Sequence, residues 1–193
     1  MASSESGSAA PRRADARRNR ARILAAAEQV FGDQGFAGST EEIARRAGVS
    51  VGTVFRHFPT KRDLLAAIVK DLLQGLENEA DRLVRDGDPA TALFTFFAHL
   101  VAEAAEKKTI VELLADVGTA VPIDTAIGGF ADTFARLLDK AQAAGTVDRD
   151  VTADDVLALL ISTTQGAVRG GWDPRRQERV LSIIFAGLAA PRR

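Results

Sequence analysis

Apolar positions recur at helical spacing along most of this 193-residue chain. Ile23, Leu24, Ala27, Val30 and Phe31 follow i, i+1, i+4, i+7, i+8, which puts one buried face on a first helix that Gly35 ends. Ser39 starts a second helix, with Glu42 three residues on completing a capping box, and Ile43 and Ala47 spaced for its buried face. Gly48 breaks that helix, because glycine tolerates the positive φ with which helices end. Ser50 caps a short third helix, from Val51 to Phe58, which Pro59 terminates by pushing its neighbour out of the α region. Thr60 and Asp63 repeat a capping signal for a long fourth helix. Its apolar positions Leu64, Leu65, Ile68, Val69, Leu72, Leu73, Leu76 and Leu83 run to the break at Asp86-Gly87-Asp88-Pro89. Further helices are predicted over 89–107, 109–117, 123–144, 153–170 and 174–189, separated by the turn-rich stretches KKT, GTAVP, GTVDRDVT and GGWD. There is no strand-like alternation of useful length and no internal repeat, so the fold class is all-α.

The second and third helices, joined by a short glycine-containing turn, form a helix-turn-helix, whose second helix fits the DNA major groove. Residues at the start of such a helix reach base edges, and flanking ones reach phosphates. Val51, Gly52 and Thr53 are small and let the backbone approach; Val51 or Thr53 suits contact with a thymine methyl. Arg56 suits either a bidentate guanine contact or a phosphate. Val54 and Phe58 are expected to face the three-helix core instead.

The stretch Ala47 to Lys61, AGVSVGTVFRHFPTK, resembles the signature of TetR-family transcriptional regulators, and ARILAAAEQVFGDQGF, Ala21 to Phe36, resembles that family's first helix. The resemblance covers about the first third of the chain and fixes about ten residue types in order, which a bare helix-turn-helix pattern does not. It implies an N-terminal DNA-binding domain of three helices and a C-terminal helical bundle for ligand binding and dimerisation. The expected division is a disordered arm over 1–16, a helix-turn-helix domain over 17–62 and the second domain over 63–193. His57 matches a position set against backbone phosphates; the alternative is a packing histidine. Lys61 is expected to meet a phosphate, with a solvated lysine as the alternative. Phe55 stands where the family usually has tyrosine, so the hydroxyl contact to phosphate is absent. Ser39 is a cap first and a phosphate donor second. Thr40 and Glu41 fall where the family often places DNA-facing residues, although Glu41 is better explained as an acid favoured by the helix dipole. Ser50, Val51, Gly52, Thr53, Phe55, Arg56, His57, Lys61, Ser39 and Thr40 therefore form the candidate DNA set.

Charge extends that set toward the N-terminus. Residues 1–70 hold 12 basic and 7 acidic side chains; the remainder holds 13 and 19, a basic head on an acidic body. Met1 to Ala10 is Ser/Ala/Gly-rich and expected to be disordered. Six arginines follow between Arg12 and Arg22. Arg12 and Arg13 are expected to be solvated, and at least one of Arg17, Arg18 and Arg20 to reach phosphate.

With 46% hydrophobic and 26% charged residues, the chain carries enough apolar surface for a packed core. It has no cysteine, which excludes disulfides and thiolate chemistry. No apolar run approaches a membrane span and no secretory h-region stands at the N-terminus, so a cytoplasmic protein with no membrane partner is expected. The two histidines, His57 and His99, have no second ligand at metal spacing, and Glu103, Glu112 and Asp116 lack a partner base. No catalytic residue, metal or cofactor is expected.

For the second domain the resemblance implies a ligand cavity within a helical bundle. Phe94, Phe96, Phe97, Phe130, Phe134 and Trp172 are candidate apolar walls, with Leu100, Leu113 and Val117 beside them. His99, Glu103, Thr163, Thr164 and Gln165 are candidate polar groups to orient a ligand. The alternative is that the aromatics are core and the polar groups are satisfied. The last two helices, with Val156, Leu159, Leu160, Thr163, Gly166, Gly170, Val180, Ile183, Ile184, Gly187 and Leu188, read as a homodimer interface built as a four-helix bundle. A dimer places two recognition helices about 34–36 Å apart on a palindrome. The expectation is a homodimeric repressor that binds a double-stranded palindromic operator and is released by an unknown small-molecule effector. The alternative is a DNA-binding regulator without such an effector, controlled by a protein partner.

Overall fold

The computed structural model describes residues 9–110, 113 and 128–191. The chain folds into α1 (Ala9–Gln34), a 3-10 turn (Gly35–Ala37), α2 (Thr40–Ala47), α3 (Val51–His57), α4 (Lys61–Asp86), α5 (Ala92–Glu106), α6 (Ala131–Ala143), α7 (Ala153–Gly170) and α8 (Pro174–Leu188). Among the described residues there is no strand, only an isolated antiparallel bridge between Val147 and Ala189, which ties the C-terminus to the α6–α7 turn. The helix expected over 109–117 is seen as helical backbone at 108–110 and 113; its remainder, and 123–127 of the next, lie outside the described residues.

The signals read from the sequence act as physical devices. Gly48 takes φ 65°, and its N–H donates to Arg45 O at 3.2 Å while Val49 N–H donates to Ala44 O at 3.0 Å, a Schellman closure of α2. Ser50 Oγ accepts from Thr53 N–H at 3.2 Å, starting α3. Thr60 and Asp63 form a reciprocal capping box at α4, and Thr152 and Asp155 form another at α7. Two expectations are corrected. Ser39 caps α2 through Glu42 N–H, but the Glu42 carboxylate does not return the bond, because it is drawn to Arg45 and Arg46 one turn on. The expected arm over 1–16 is helical from Ala9, because Ala and Arg are strong helix formers and Pro11 sits in the first turn, where a missing N–H costs nothing. Met1–Ser8 lie outside the described residues.

Two hydrophobic cores result. The first packs Ile23, Ala27, Val30 and Phe31 of α1 against Ile43 and Ala47 of α2, Val54 and Phe58 around α3, and Leu64, Leu65 and Ile68 of α4. The second joins Leu76, Ala80 and Leu83 of α4 to Phe96, Phe97 and Val101 of α5, Phe134 and Leu137 of α6, and Val156 and Leu160 of α7. The 26-residue α4, about 39 Å long at 1.5 Å per residue, therefore belongs to both cores. The first core reaches past the expected boundary at 62, and it also receives Ile110 and Leu113 from beyond α5. In the second core the Phe96 ring lies 5.5 Å from Phe130 and 5.3 Å from Phe134. Phe134→Ala is expected to cost about 3–5 kcal/mol, because it leaves a cavity among rings with no solvent route. Chemical denaturation of the full chain reads this as a lower midpoint, and an unchanged midpoint would show that the aromatic cluster is not a structural core.

Candidate nucleic-acid interface

The turn between α2 and α3 sets α3 on the surface with Val54 buried beneath it. Gly52, Phe55 and Arg56 are exposed, while Val51, Thr53 and His57 are half-buried. Gly52 and Arg56 are four residues apart and share a face. A Cβ on Gly52 would meet nothing within 4 Å, so the glycine leaves open approach beside the arginine. The Ser50 and Thr53 hydroxyls lie 2.8 Å apart at the start of the helix. Phe55, 47% exposed, is among the few large apolar side chains left to solvent. His57 packs its ring 6.2 Å from Phe58.

The flanking charges are sorted by local pairing. Glu42 accepts from Arg45 and Arg46, and Arg46 also reaches Asp33 of α1 at 3.1 Å, clamping α2 to α1. Hydrogen bonds from Arg45 and then Arg46 lower the Glu42 carboxyl from 4.5 to about 2. Lys61, the first residue of α4, donates to the Phe36 carbonyl at 3.2 Å and sits 5.5 Å over the Phe36 ring. An ammonium has three donors, so this anchor leaves two for a phosphate. Phe36 is marked in the sequence only as an aromatic directly after the glycine that ends the first helix. Arg56 and Arg62 are exposed on either side of Pro59.

Not every candidate faces this surface. Thr40 is buried, because it shares a helix face with Ile43, Ala44 and Ala47, which turns it to the core and not outward. Arg17 and Arg20 line a groove between α1, α4 and α5, and the Arg20 guanidinium lies 5.5 Å over the Phe58 ring. Arg18 is exposed and pairs with Asp15. The exposed set brought together is thus Ser50, Gly52, Phe55 and Arg56, with half-buried Thr53 among them and His57, Lys61 and the Ser39 cap at its margins.

Residues 23–68 match bacterial regulatory proteins of the tetR family, and residues 88–190, over half of the chain, match the C-terminal domain of SbtR-like transcriptional regulators. The chain belongs to the TetR family. It is a DNA-binding transcriptional regulator and not an enzyme. A TetR transcription regulatory protein from Mycobacterium vanbaalenii is 39% identical and shares the fold at a TM-score of 0.72, over 92% of this chain and 99% of that one. The TetR transcriptional regulator SCO0520 of Streptomyces coelicolor is 29% identical at a TM-score of 0.72, over 90% and 99%. The HTH-type transcriptional activator FasR of Mycolicibacterium smegmatis is 35% identical over 89 residues, which span 42% of this chain and 41% of FasR. Among the described residues of this TetR-family chain, no helix is long and apolar enough to cross a membrane.

The candidate ligand residues are spread over several places. Phe96, Phe130, Phe134 and Leu100 are buried in the second core, where the Phe96 and Phe130 rings meet edge-on. Thr163 and Thr164 are buried, and among the described residues the Thr164 hydroxyl has no hydrogen-bond partner. Leu113 is drawn into the N-terminal core, and Val117 lies outside the described residues. Glu103 lines the α1–α4–α5 groove with Lys107, whose ion pair with Glu28 of α1 raises its affinity for a proton. Only His99 and Trp172 share a groove, between α5 and α8. His99 also adds to Arg82 in holding the Glu79 carboxyl below its ordinary range. Gly166 and Gly170, candidates for the dimer interface, both seat Trp172 of the same chain. Val156, Leu160, Thr163 and Leu188 are likewise buried within the chain, leaving Leu159 and Ile183 as the exposed large apolar residues of α7 and α8.

Proposed function

We propose that this regulator binds a palindromic operator as a homodimer, represses transcription, and is released by a small molecule held in its C-terminal domain. The observation that carries the reading is α4, one helix with Leu64, Leu65 and Ile68 in the DNA-binding core and Leu76, Ala80 and Leu83 in the other. A displacement at one end of such a helix moves the other, because packed cores resist deformation. An effector that binds the state with spread recognition helices more tightly shifts the population toward release; equal affinity shifts nothing. Ser50, Val51, Gly52, Thr53, Phe55 and Arg56 are assigned to the groove, and Ser39, His57 and Lys61 to the phosphates.

Two other readings have specific support. The closed Phe96–Phe130–Phe134 cluster favours a regulator without an internal effector site, governed by a protein partner. FasR is named an activator, and the sign of control depends on where the operator lies relative to the promoter. Footprinting of the full chain on DNA upstream of its own and the adjacent gene tests the reading. A protected palindrome overlapping the promoter, with two major-groove footprints one turn apart, is expected. Weak binding that is independent of sequence at every salt concentration would overturn specific operator recognition.

A further inference from the structure

The groove between α5 and α8 is open to solvent, offers about 870 Å³ and is lined by Ala98, His99, Ala102, Trp172, Leu181 and Phe185, with Glu106 and Glu178 also on its walls. Its aromatic walls are held in place. A Cβ at Gly166 would come within 3.0 Å of the Trp172 ring, and one at Gly170 within 2.6 Å of its Nε1, so the two glycines are the seat of the indole. Phe185 packs edge-on against Phe97 at 5.5 Å and lies 4.8 Å from Phe94. The charges lean one way: among the described lining residues there are two carboxylates, one imidazole, that of His99, and no lysine or arginine. Lys107 approaches Glu106 at 3.5 Å, but its closer partner is Glu28. Arg176 lies outside the lining, 5.7 Å over the Trp172 ring.

This groove lies on the side of α8 opposite Ile183. On α8, Ile183 and Phe185 are two residues apart, so they point roughly 160° from one another at 100° per residue. Phe185 faces the groove, and Ile183, 67% exposed, faces away from it. Pairing through Ile183 leaves the groove open.

We propose that the α5–α8 groove binds a lipophilic organic cation, its apolar body against Trp172 and Phe185 and its charge toward Glu106 and Glu178. An aromatic wall with adjacent carboxylates favours a desolvated cation over a neutral or anionic molecule of the same shape. The proposal rests on the ligand-responsive reading above in taking this occupant as the effector. The last turn of α5 supplies the link: Glu106 lines the groove, and the next residue, Lys107, is ion-paired to Glu28 of α1 in the DNA-binding core.

Trp172 is the only tryptophan and the chain has no tyrosine, so its emission reports this groove directly. The full chain is titrated with tetraphenylphosphonium and, separately, with tetraphenylborate, an anion of the same shape. Saturable quenching by the cation at lower concentration than by the anion is expected. Glu178→Gln and Glu106→Gln are each expected to weaken the cation about threefold, the usual weight of a partly exposed charge, without altering helicity. Equal response to both ions, no response, or cation binding unchanged in both variants overturns the proposal. Operator release is measured alongside. Cation binding without release keeps the groove site and overturns its role as effector site. Release by another compound, unaffected by the groove variants, overturns the groove while leaving ligand-responsive control intact.

Discussion

Arg56→Ala is expected to weaken operator binding by about 1–3 kcal/mol per half-site, roughly 2–6 kcal/mol in a dimer, if its guanidinium takes a guanine edge. The side chain is exposed on α3, on the same face as Gly52 and beyond the reach of the Glu42 clamp that occupies Arg45 and Arg46. Lys61→Ala is expected to act differently. Its ammonium is held against the Phe36 carbonyl at the start of α4, beside the groove and not within it. Loss of one phosphate contact per subunit lowers the slope of log K against log salt by about 2 in the dimer. It weakens operator and random DNA alike. Binding measured on both DNAs across a salt series separates the two roles. Arg56→Ala closes the gap between operator and random DNA, whereas Lys61→Ala preserves the gap and flattens both lines. If both variants bind as the parent does, the assignment of α3 and the start of α4 to the interface fails.

Much of this site was legible because its signals are local. Gly48, Ser50, Pro59 and the Thr60–Asp63 box each fix a helix end through atoms at most a few residues away, and the structure shows those ends. The buried faces of α1 and α4 follow from spacing alone. What spacing does not state is which inward-facing residue meets which. Phe96, Phe130 and Phe134 read equally well as pocket walls or as core, and spacing does not state the ring contacts they make with one another. Leu113 is apolar at a helical position, yet it joins the core built by α1 to α4 and not the one that α5 helps to build. Gly166 and Gly170 signal a close approach, and within the chain the approaching group is the indole of Trp172, which lies after the end of α7. Thr40 fails for a smaller reason: it sits one residue from exposed Glu41, and one helical step of 100° separates solvent from core.

Ile183→Asp is expected to have the largest effect on function among substitutions away from the DNA surface. Ile183 is 67% exposed on α8 and Leu159 36% exposed on α7, while their neighbours Leu160, Leu181 and Leu188 are buried within the chain. Full burial of an isoleucine contributes about 1.5–3 kcal/mol. In an isologous interface every substitution occurs twice, and near the two-fold axis two introduced carboxylates also repel each other across it. The dimer dissociation constant is expected to rise by about 100-fold or more, the equivalent of roughly 3 kcal/mol. Sedimentation at several concentrations reads that rise directly. The fold itself should persist, because the exposed side chain contributes little to the chain's own core, and circular dichroism checks this. Operator affinity then falls to that of one half-site, since a single three-helix domain reads one major-groove face. A variant that stays dimeric moves the interface off this face of α8. A variant that becomes monomeric yet holds the operator as tightly as the parent removes the need for two-fold symmetry, because then one recognition helix would supply all of the affinity.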